Sequence, residues 1–306
     1  MRGISSHSHD PYFNLAAEEY LLKEYPSDCF MLYRNSKSVV VGKHQNTLAE
    51  VNYPYLRRMG IPVVRRLSGG GTVFHDLGNV NFLFIREGEV GKLVDFRRHL
   101  MPVLDILHQM SIPAEYGGRN DLLINGRKIS GNAEHVYHNR TLHHGTLLFS
   151  SDLEMLEQAI MVKPGLYEDR AVRSVRSQVC NISESLNKQM PVDLFEKALF
   201  GALAERQTGT IVQPFTREET QAIEALAASR YKTWEWNFGY SPEFNYRLET
   251  GLRLVTITVS RGLVESIDAG KESHISLPHG LQNLLHKPFN EMEILECFKN
   301  YPIGEE

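Results

Sequence analysis

Two periods run through the polar and apolar positions of this chain. Leu15, Ala16, Glu19 and Leu22 fall at helical spacing, so residues 14–25 (NLAAEEYLLKEY) read as a helix. Runs rich in β-branched and aromatic residues read as strands at 30–34, 38–42, 72–75, 80–85, 121–124, 127–131 and 146–149. Further helices are predicted over 94–110, 152–161, 191–206 and 216–229. Past Trp236 the pattern changes. Residues 237–245 are rich in Gly, Pro, Ser and Tyr; strands at 253–260 and 263–268 follow, then helices near 280–285 and 291–300. The change places a large domain at 1–240, a linker at 241–247 and a small C-terminal domain at 248–306.

Composition narrows the class. Lys+Arg 33 against Asp+Glu 37 gives a net charge of −4, which excludes a strongly basic nucleic-acid binder. Cys29, Cys180 and Cys297 are an odd, scattered set, so neither a disulfide framework nor a Cys-x-x-Cys zinc site is expected. No apolar run approaches the roughly 20 residues of a membrane span. The first twenty residues lack an apolar signal core and carry Asp10, Glu18 and Glu19, so the expected compartment is the cytoplasm. Ser6-His7-Ser8-His9 reads as a mobile polar N-terminus.

The densest chemical signal is VVRRLSGGGTVFHDLGNVN at 63–81. Three consecutive glycines leave backbone N–H groups open to an anion. No Gly-Lys-Ser/Thr follows, and the G-x-G-x-x-G spacing is absent, so neither a P-loop nor a dinucleotide fingerprint is present. Arg65 and Arg66 point to opposite faces if the segment is extended, so at most one reaches the ligand side. The same residues also suit a Gly-rich turn with solvated arginines.

The second signal is GRNDLLINGRKISG at 118–131, where Asn125-Gly126 predicts a two-residue hairpin turn. Asp121 then pairs with Ser130 and Leu123 with Lys128, placing Asp121, Leu123, Lys128 and Ser130 on one face. Asp121 and Lys128 become diagonal neighbours about 7–8 Å apart by backbone geometry. They suit a carboxylate holding a hard cation and an ammonium neutralising phosphate or carboxylate; an ordinary cross-strand ion pair suits them too. His143-His144 leads into a strand, with His144 at a pocket rim or in a core hydrogen bond; with no second histidine at ligand spacing, a metal role is not expected. His75-Asp76 reads as a locally hydrogen-bonded turn, Cys180 as a buried thiol, and the polar stretch 163–181 as a lid or disordered loop.

RRLSGGGTVFHDLGN and GRNDLLINGRKISGNA resemble motifs of the lipoate–protein ligase A family, and DPYFNLAAEEYLL, RNSKSVVVGKHQN, LHHGTLLF, SVRSQVCNISE and WEWNFGYSPEF extend the resemblance over about 9–245. The resemblance implies an α+β fold: mixed sheets packed with helices in a core like that of class II aminoacyl-tRNA synthetases and biotin protein ligase, plus a small α+β C-terminal domain. It implies a cytoplasmic ligase that uses ATP and Mg²⁺ to turn lipoate into lipoyl-AMP. The lipoyl group then passes to a lysine of acceptor domains, those of 2-oxoacid dehydrogenase E2 subunits and the glycine cleavage H protein; neither nucleic acid nor membrane is a partner. By motif position, Lys128 contacts lipoate carboxylate and nucleotide phosphate. Arg66, Gly71, Thr72, Val73 and Phe74 contact the nucleotide, Asp121 the metal, and Leu15, Ala17, Gly70 and His144 the lipoyl group.

Three rivals remain open on the sequence. A lipoyl or octanoyl transferase of the same fold works through a cysteine thioester or a preformed lipoyl-AMP. A biotin ligase carries interspersed arginines in its glycine loop, unlike SGGGT here. A non-catalytic lipoate-binding regulatory module needs no anion-stabilising set.

Overall fold

A computed structural model of the chain describes residues 1–88, 93–118, 120–162, 164–207, 209–250, 253–268 and 278–299. Its main sheet has eight strands in the order β12 (Ile211–Val212), β1 (Arg2–Ser5), β2 (Cys29–Tyr33), β6 (Asn79–Glu87), β10 (Arg140–Leu148), β9 (Arg127–Tyr137), β8 (Asp121–Ile124) and β7 (Glu115–Tyr116). β1 runs parallel to both neighbours, whereas β2 through β7 in that order pair antiparallel. The segment expected to be a mobile N-terminus is anchored instead: Ser6 is buried, and its hydroxyl donates to Asn14 Oδ1 at 2.8 Å.

Helices cover both faces of this sheet. α1 (Pro11–Lys23) and α6 (Arg217–Leu226) pack Leu15, Leu21 and Ile223 against Met31, Leu83 and Leu142. α3 (Phe96–Gln109) and α5 (Val192–Arg206) pack Leu100, Leu107 and Leu199 against Phe30, Phe82 and Phe84. Consecutive residues of β2 therefore enter opposite cores, Phe30 one and Met31 the other, which is why its sequence shows an unbroken apolar run. α1 starts three residues earlier than its apolar spacing indicates. Asp10 accepts the Tyr12 N–H and Pro11 occupies the first turn, a capping arrangement independent of the apolar stripe.

A second sheet, β4 (Val63–Arg65), β3 (Ser38–Val41) and β5 (Val73–His75), packs Val39, Val41 and Phe74 against α2 (Tyr53–Met59) and α4 (Leu153–Ile160). α2 has no counterpart in the sequence reading. It has seven residues and buries only Leu56, so no apolar stripe announces it; an Asn52 cap and Gly60 at φ +65 define its ends. A third sheet orders β11 (Tyr167–Asp169), β13 (Phe244–Thr250), β14 (Arg253–Ser260) and β15 (Leu263–Asp268), with Leu281 of α7 (His279–Gln282) and Ile294 of α8 (Glu291–Lys299) in its core. Residues 244–247, expected as linker, are thus strand, because Phe244 and Tyr246 are buried against Phe289. The chain is α+β with mixed sheets, and no described helix is long and apolar enough to cross a membrane.

The hairpin of β8 and β9 turns at Asn125 (φ +50) and Gly126 (φ +74), the two positive-φ residues a type I′ turn requires. β9 and β10 then continue as a long hairpin through residues 132–145, which the sequence reading left unassigned. Asn132, Glu134, His135 and His143 break the apolar pattern there, yet the ladder pairs His143 with Glu134 and His144 with Ala133.

Candidate functional site

A cavity of about 480 Å³ lies between the main sheet and the three-stranded sheet. Leu15, Tyr33 and Val40 supply apolar wall; Arg66, Gly70, Gly71, Thr72 and Val73 supply the glycine loop; Asp121, Lys128 and His144 enter from the main sheet. Val172, Arg173, Ser174, Val175 and Ser177 of the expected lid segment complete it. The structure therefore gathers nine of the eleven expected site residues around one space. Ala17 does not line it: two residues along a helix from Leu15 it faces elsewhere, fully buried in the core. Phe74 alternates away from Val73 into the second sheet's core, and the residue lines a smaller adjoining cavity instead.

The glycine loop is held by two arginines with different tasks. Arg65, fully buried, donates to the carbonyls of Gly42, Lys43 and Gln45 (2.9–3.0 Å) and of Trp236 (2.9 Å) and Asn237 (3.1 Å), tying β4 to the segment before β13. Burial lowers its guanidinium to about 10, still charged at neutral pH. Arg66 lines the cavity, but its donors go to the loop and to β3: Nε to Ser68 Oγ at 3.0 Å, Nη2 to the carbonyls of Gly69 and Gly71 at 2.6 and 2.7 Å, and Nη1 to the Val40 carbonyl at 3.3 Å. In a trans peptide the N–H points opposite to the C=O. Drawing in the carbonyls of Gly69 and Gly71 thus turns the N–H groups of Gly70 and Thr72 away from Arg66. Gly70 sits at φ +89, and a Cβ on Gly42 would lie 2.1 Å from its carbonyl oxygen.

Lys128 and Asp121 meet closer than backbone geometry alone sets. Lys128 Nζ lies 2.7 Å from an Asp121 carboxylate oxygen, both side chains about one-quarter exposed to the cavity. A β-bulge shifts the register, so Asp121 opposes Gly131 and Leu122 opposes Ser130; Ser130 does not pair with Asp121 as expected. The Lys128 backbone is fixed on both sides, its N–H donating to Gln178 O at 2.8 Å and its carbonyl accepting the Cys180 N–H at 3.1 Å. A cavity-facing carboxylate fits one ligand position of Mg²⁺, an ion that keeps waters and takes phosphate oxygens for the rest.

A buried polar relay, invisible in sequence, runs behind the cavity. Glu18, 2% exposed, accepts the Tyr33 hydroxyl at 2.8 Å and contacts His144 Nδ1 at 2.8 Å; His144 Nε2 lies 2.6 Å from Ser68 Oγ. The pattern that satisfies every member puts the ring proton on Nδ1, facing Glu18, and has Nε2 accept from Ser68, which in turn accepts from Arg66 Nε.

The remaining candidates stay outside the chemistry. His75 borders the cavity next to Asn35 (3.0 Å), and burial, with Arg66 and His144 nearby, pushes its imidazole down to about 3. Asp76 instead accepts the Gly78 and Asp152 N–H groups. Cys180 is buried among apolar neighbours, outside the cavity, and burial raises its thiol above the ordinary value, unlike an activated nucleophile.

The lipoyl protein ligase A/B catalytic domain family matches residues 10–204. Lipoate-protein ligase LplJ of Bacillus subtilis is 39% identical over 264 residues, 84% of this chain and 80% of its own. A crystal structure of lipoate-protein ligase A bound with ATP superposes with a TM-score of 0.66 at 24% identity, covering 78% of this chain and all of that one. P. falciparum LipL1 in complex with lipoate superposes with a TM-score of 0.66 at 23% identity over 99% of this chain and 95% of its own. With the family model matching residues 10–204 and a relative 39% identical over 84% of the chain, the chain belongs to the lipoate–protein ligase family.

Proposed function

We propose that the chain joins lipoate to ATP as lipoyl-AMP and passes the lipoyl group to a lysine of an acceptor domain. One observation carries the assignment of the site: Lys128 and the glycine-loop residues Gly70, Gly71 and Thr72 line the same cavity as the apolar Leu15–Tyr33–Val40 wall. The wall suits a hydrocarbon tail ending in a dithiolane. The charged end suits its carboxylate and a phosphate.

In the first step a carboxylate oxygen attacks the α-phosphorus and pyrophosphate leaves. Two anions must approach, so fixed positive charge and oriented dipoles in a partly enclosed site lower the barrier. Lys128 supplies the charge, the N–H groups of Gly70 and Thr72 supply dipoles, and Arg66 keeps those dipoles aimed. Asp121 would hold Mg²⁺, which would neutralise phosphate charge when bound. In the second step the acceptor amine attacks the acyl carbon and AMP leaves. The anhydride is already activated, so positioning suffices and no cysteine takes part. E2 and H-protein acceptors and a cytoplasmic setting belong to the same proposal, on the strength of the family resemblance.

Incubation with lipoate, Mg-ATP and an apo lipoyl domain, read by intact mass, tests it. A lipoyl adduct that requires ATP and the target lysine supports it. An adduct formed only from supplied lipoyl-AMP favours the transferase, and no adduct with tight lipoate binding favours the binding module.

A further inference from the structure

Adjacent residues on a strand face opposite sides of the sheet. His144 turns toward α1 and the cavity; His143 turns toward α3. There it meets Glu134, its cross-strand partner, and His99 from the helix. The histidine that the sequence lacked at ligand spacing comes from another element. His143 Nδ1 lies 2.9 Å and His99 Nδ1 3.2 Å from the same oxygen, Glu134 Oε1. The three side chains are 0%, 3% and 2% exposed, and their ligand atoms lie within 4.8 Å of one another.

We propose that His99, Glu134 and His143 form a binding site for one divalent transition-metal ion of the zinc class. Two imidazoles and a carboxylate are a donor set such ions take, with the fourth position left to another oxygen ligand. Bonds of about 2.0–2.1 Å in a tetrahedron place neighbouring ligand atoms about 3.3 Å apart, close to the two contacts given above. The Asp95 carbonyl oxygen, 3.0 Å from His99 Nδ1, stands beside the same point.

Charge balance supports the same reading. Among the described residues no lysine or arginine is paired with Glu134; His99 and His143 are its ionisable partners. Phe82, Phe84 and Phe96 surround the histidine rings. A buried carboxylate without a cation is costly, and an ion held by all three side chains offsets that cost. Binding an ion at Nδ1 moves each imidazole proton to Nε2, and neither Nε2 has a hydrogen-bond partner among the described residues. The ion would fasten α3, whose Phe96 borders the cavity, to the β9–β10 hairpin.

The test uses the untagged full chain, stripped with a chelator and titrated with Zn²⁺ against a chromophoric competitor. The expected result is one ion per chain, a higher Tm with Zn²⁺, and visible absorption when Co²⁺ replaces it. His99→Phe and Glu134→Gln, each checked for fold by circular dichroism, should weaken binding about 100-fold or more and abolish the Tm response. A His7→Ala/His9→Ala chain should bind as the wild type does. The proposal fails if the folded wild type takes up no stoichiometric ion, or if both variants bind it unchanged.

Discussion

Ser174 Oγ accepts the Thr72 N–H at 2.8 Å, so the lid segment seats a hydroxyl on a backbone donor of the glycine loop. The same hydroxyl takes a hydrogen bond from Gln45 Nε2 at 3.1 Å and is joined to Glu50. A phosphate oxygen that uses the Thr72 donor must first displace Ser174. Ser174→Ala is therefore expected to lower the KM for ATP by about 5–10-fold, the equivalent of one hydrogen bond of about 1–1.5 kcal/mol. Transfer from supplied lipoyl-AMP should change little. Steady-state pyrophosphate release against ATP concentration checks this, and an unchanged KM would show that ATP does not use that donor.

Lys128→Ala should leave the fold intact, since the side chain is partly exposed and its backbone bonds are independent of it. Adenylate formation should fall on the order of 10²–10³-fold, as for loss of one preorganised group facing transition-state charge. Single-turnover measurement of lipoyl-AMP decides it; near-normal formation would remove Lys128 from the chemistry.

Glu18→Gln replaces an acceptor with an amide that donates toward His144 Nδ1, reversing the imidazole tautomer and the direction of the Ser68 bond. Glu18 does not line the cavity. The expected outcome is a changed His144 tautomer by nitrogen-15 NMR, together with about a tenfold fall in kcat/KM for lipoate, of the size a lost orienting partner produces. Restored activity in the variant with a wild-type tautomer would show the relay to be structural only.

His75 should make the chain acid-sensitive. Its pKa is about 3 folded and about 6.5 unfolded, so between those values the unfolded chain binds the extra proton. Stability is then fully present above pH 6.5 and falls as pH drops toward 3, by up to about 1.4 kcal/mol per pH unit within the window. His75→Gln should flatten that dependence between pH 4 and 6 in urea unfolding. An unchanged slope would assign the acid sensitivity to other groups.

Turn chemistry and short motifs carried through from sequence to structure, whereas polar groups that find partners across elements did not. Asn125-Gly126 dictated its hairpin because both residues accept positive φ. The bulge in the same hairpin moved Ser130 away from Asp121, and no residue type marks it. Arg66 was legible as a cavity residue, but its bonds to Gly69 and Gly71 depend on how the loop folds back on it. Glu18, Ser68 and His99 carry no local signal, since each partner lies tens of residues away. β9 and β10 were cut short because their polar residues are satisfied by neighbours that only the fold supplies.

β11, Tyr167–Asp169, lies within the polar stretch 163–181 that follows α4, yet it completes the small C-terminal sheet along β13. Tyr167 joins that sheet's core, its ring 5.7 Å from Phe244 and 5.3 Å from Tyr246. A chain cut at residue 241 keeps β11 but loses every strand it pairs with, leaving an open row of backbone donors and acceptors beside an uncovered tyrosine. Such an edge recruits strands from other molecules. Residues 1–240 expressed alone would therefore self-associate through β11, and their activity in isolation would reflect that stickiness as much as the absence of residues 241–306.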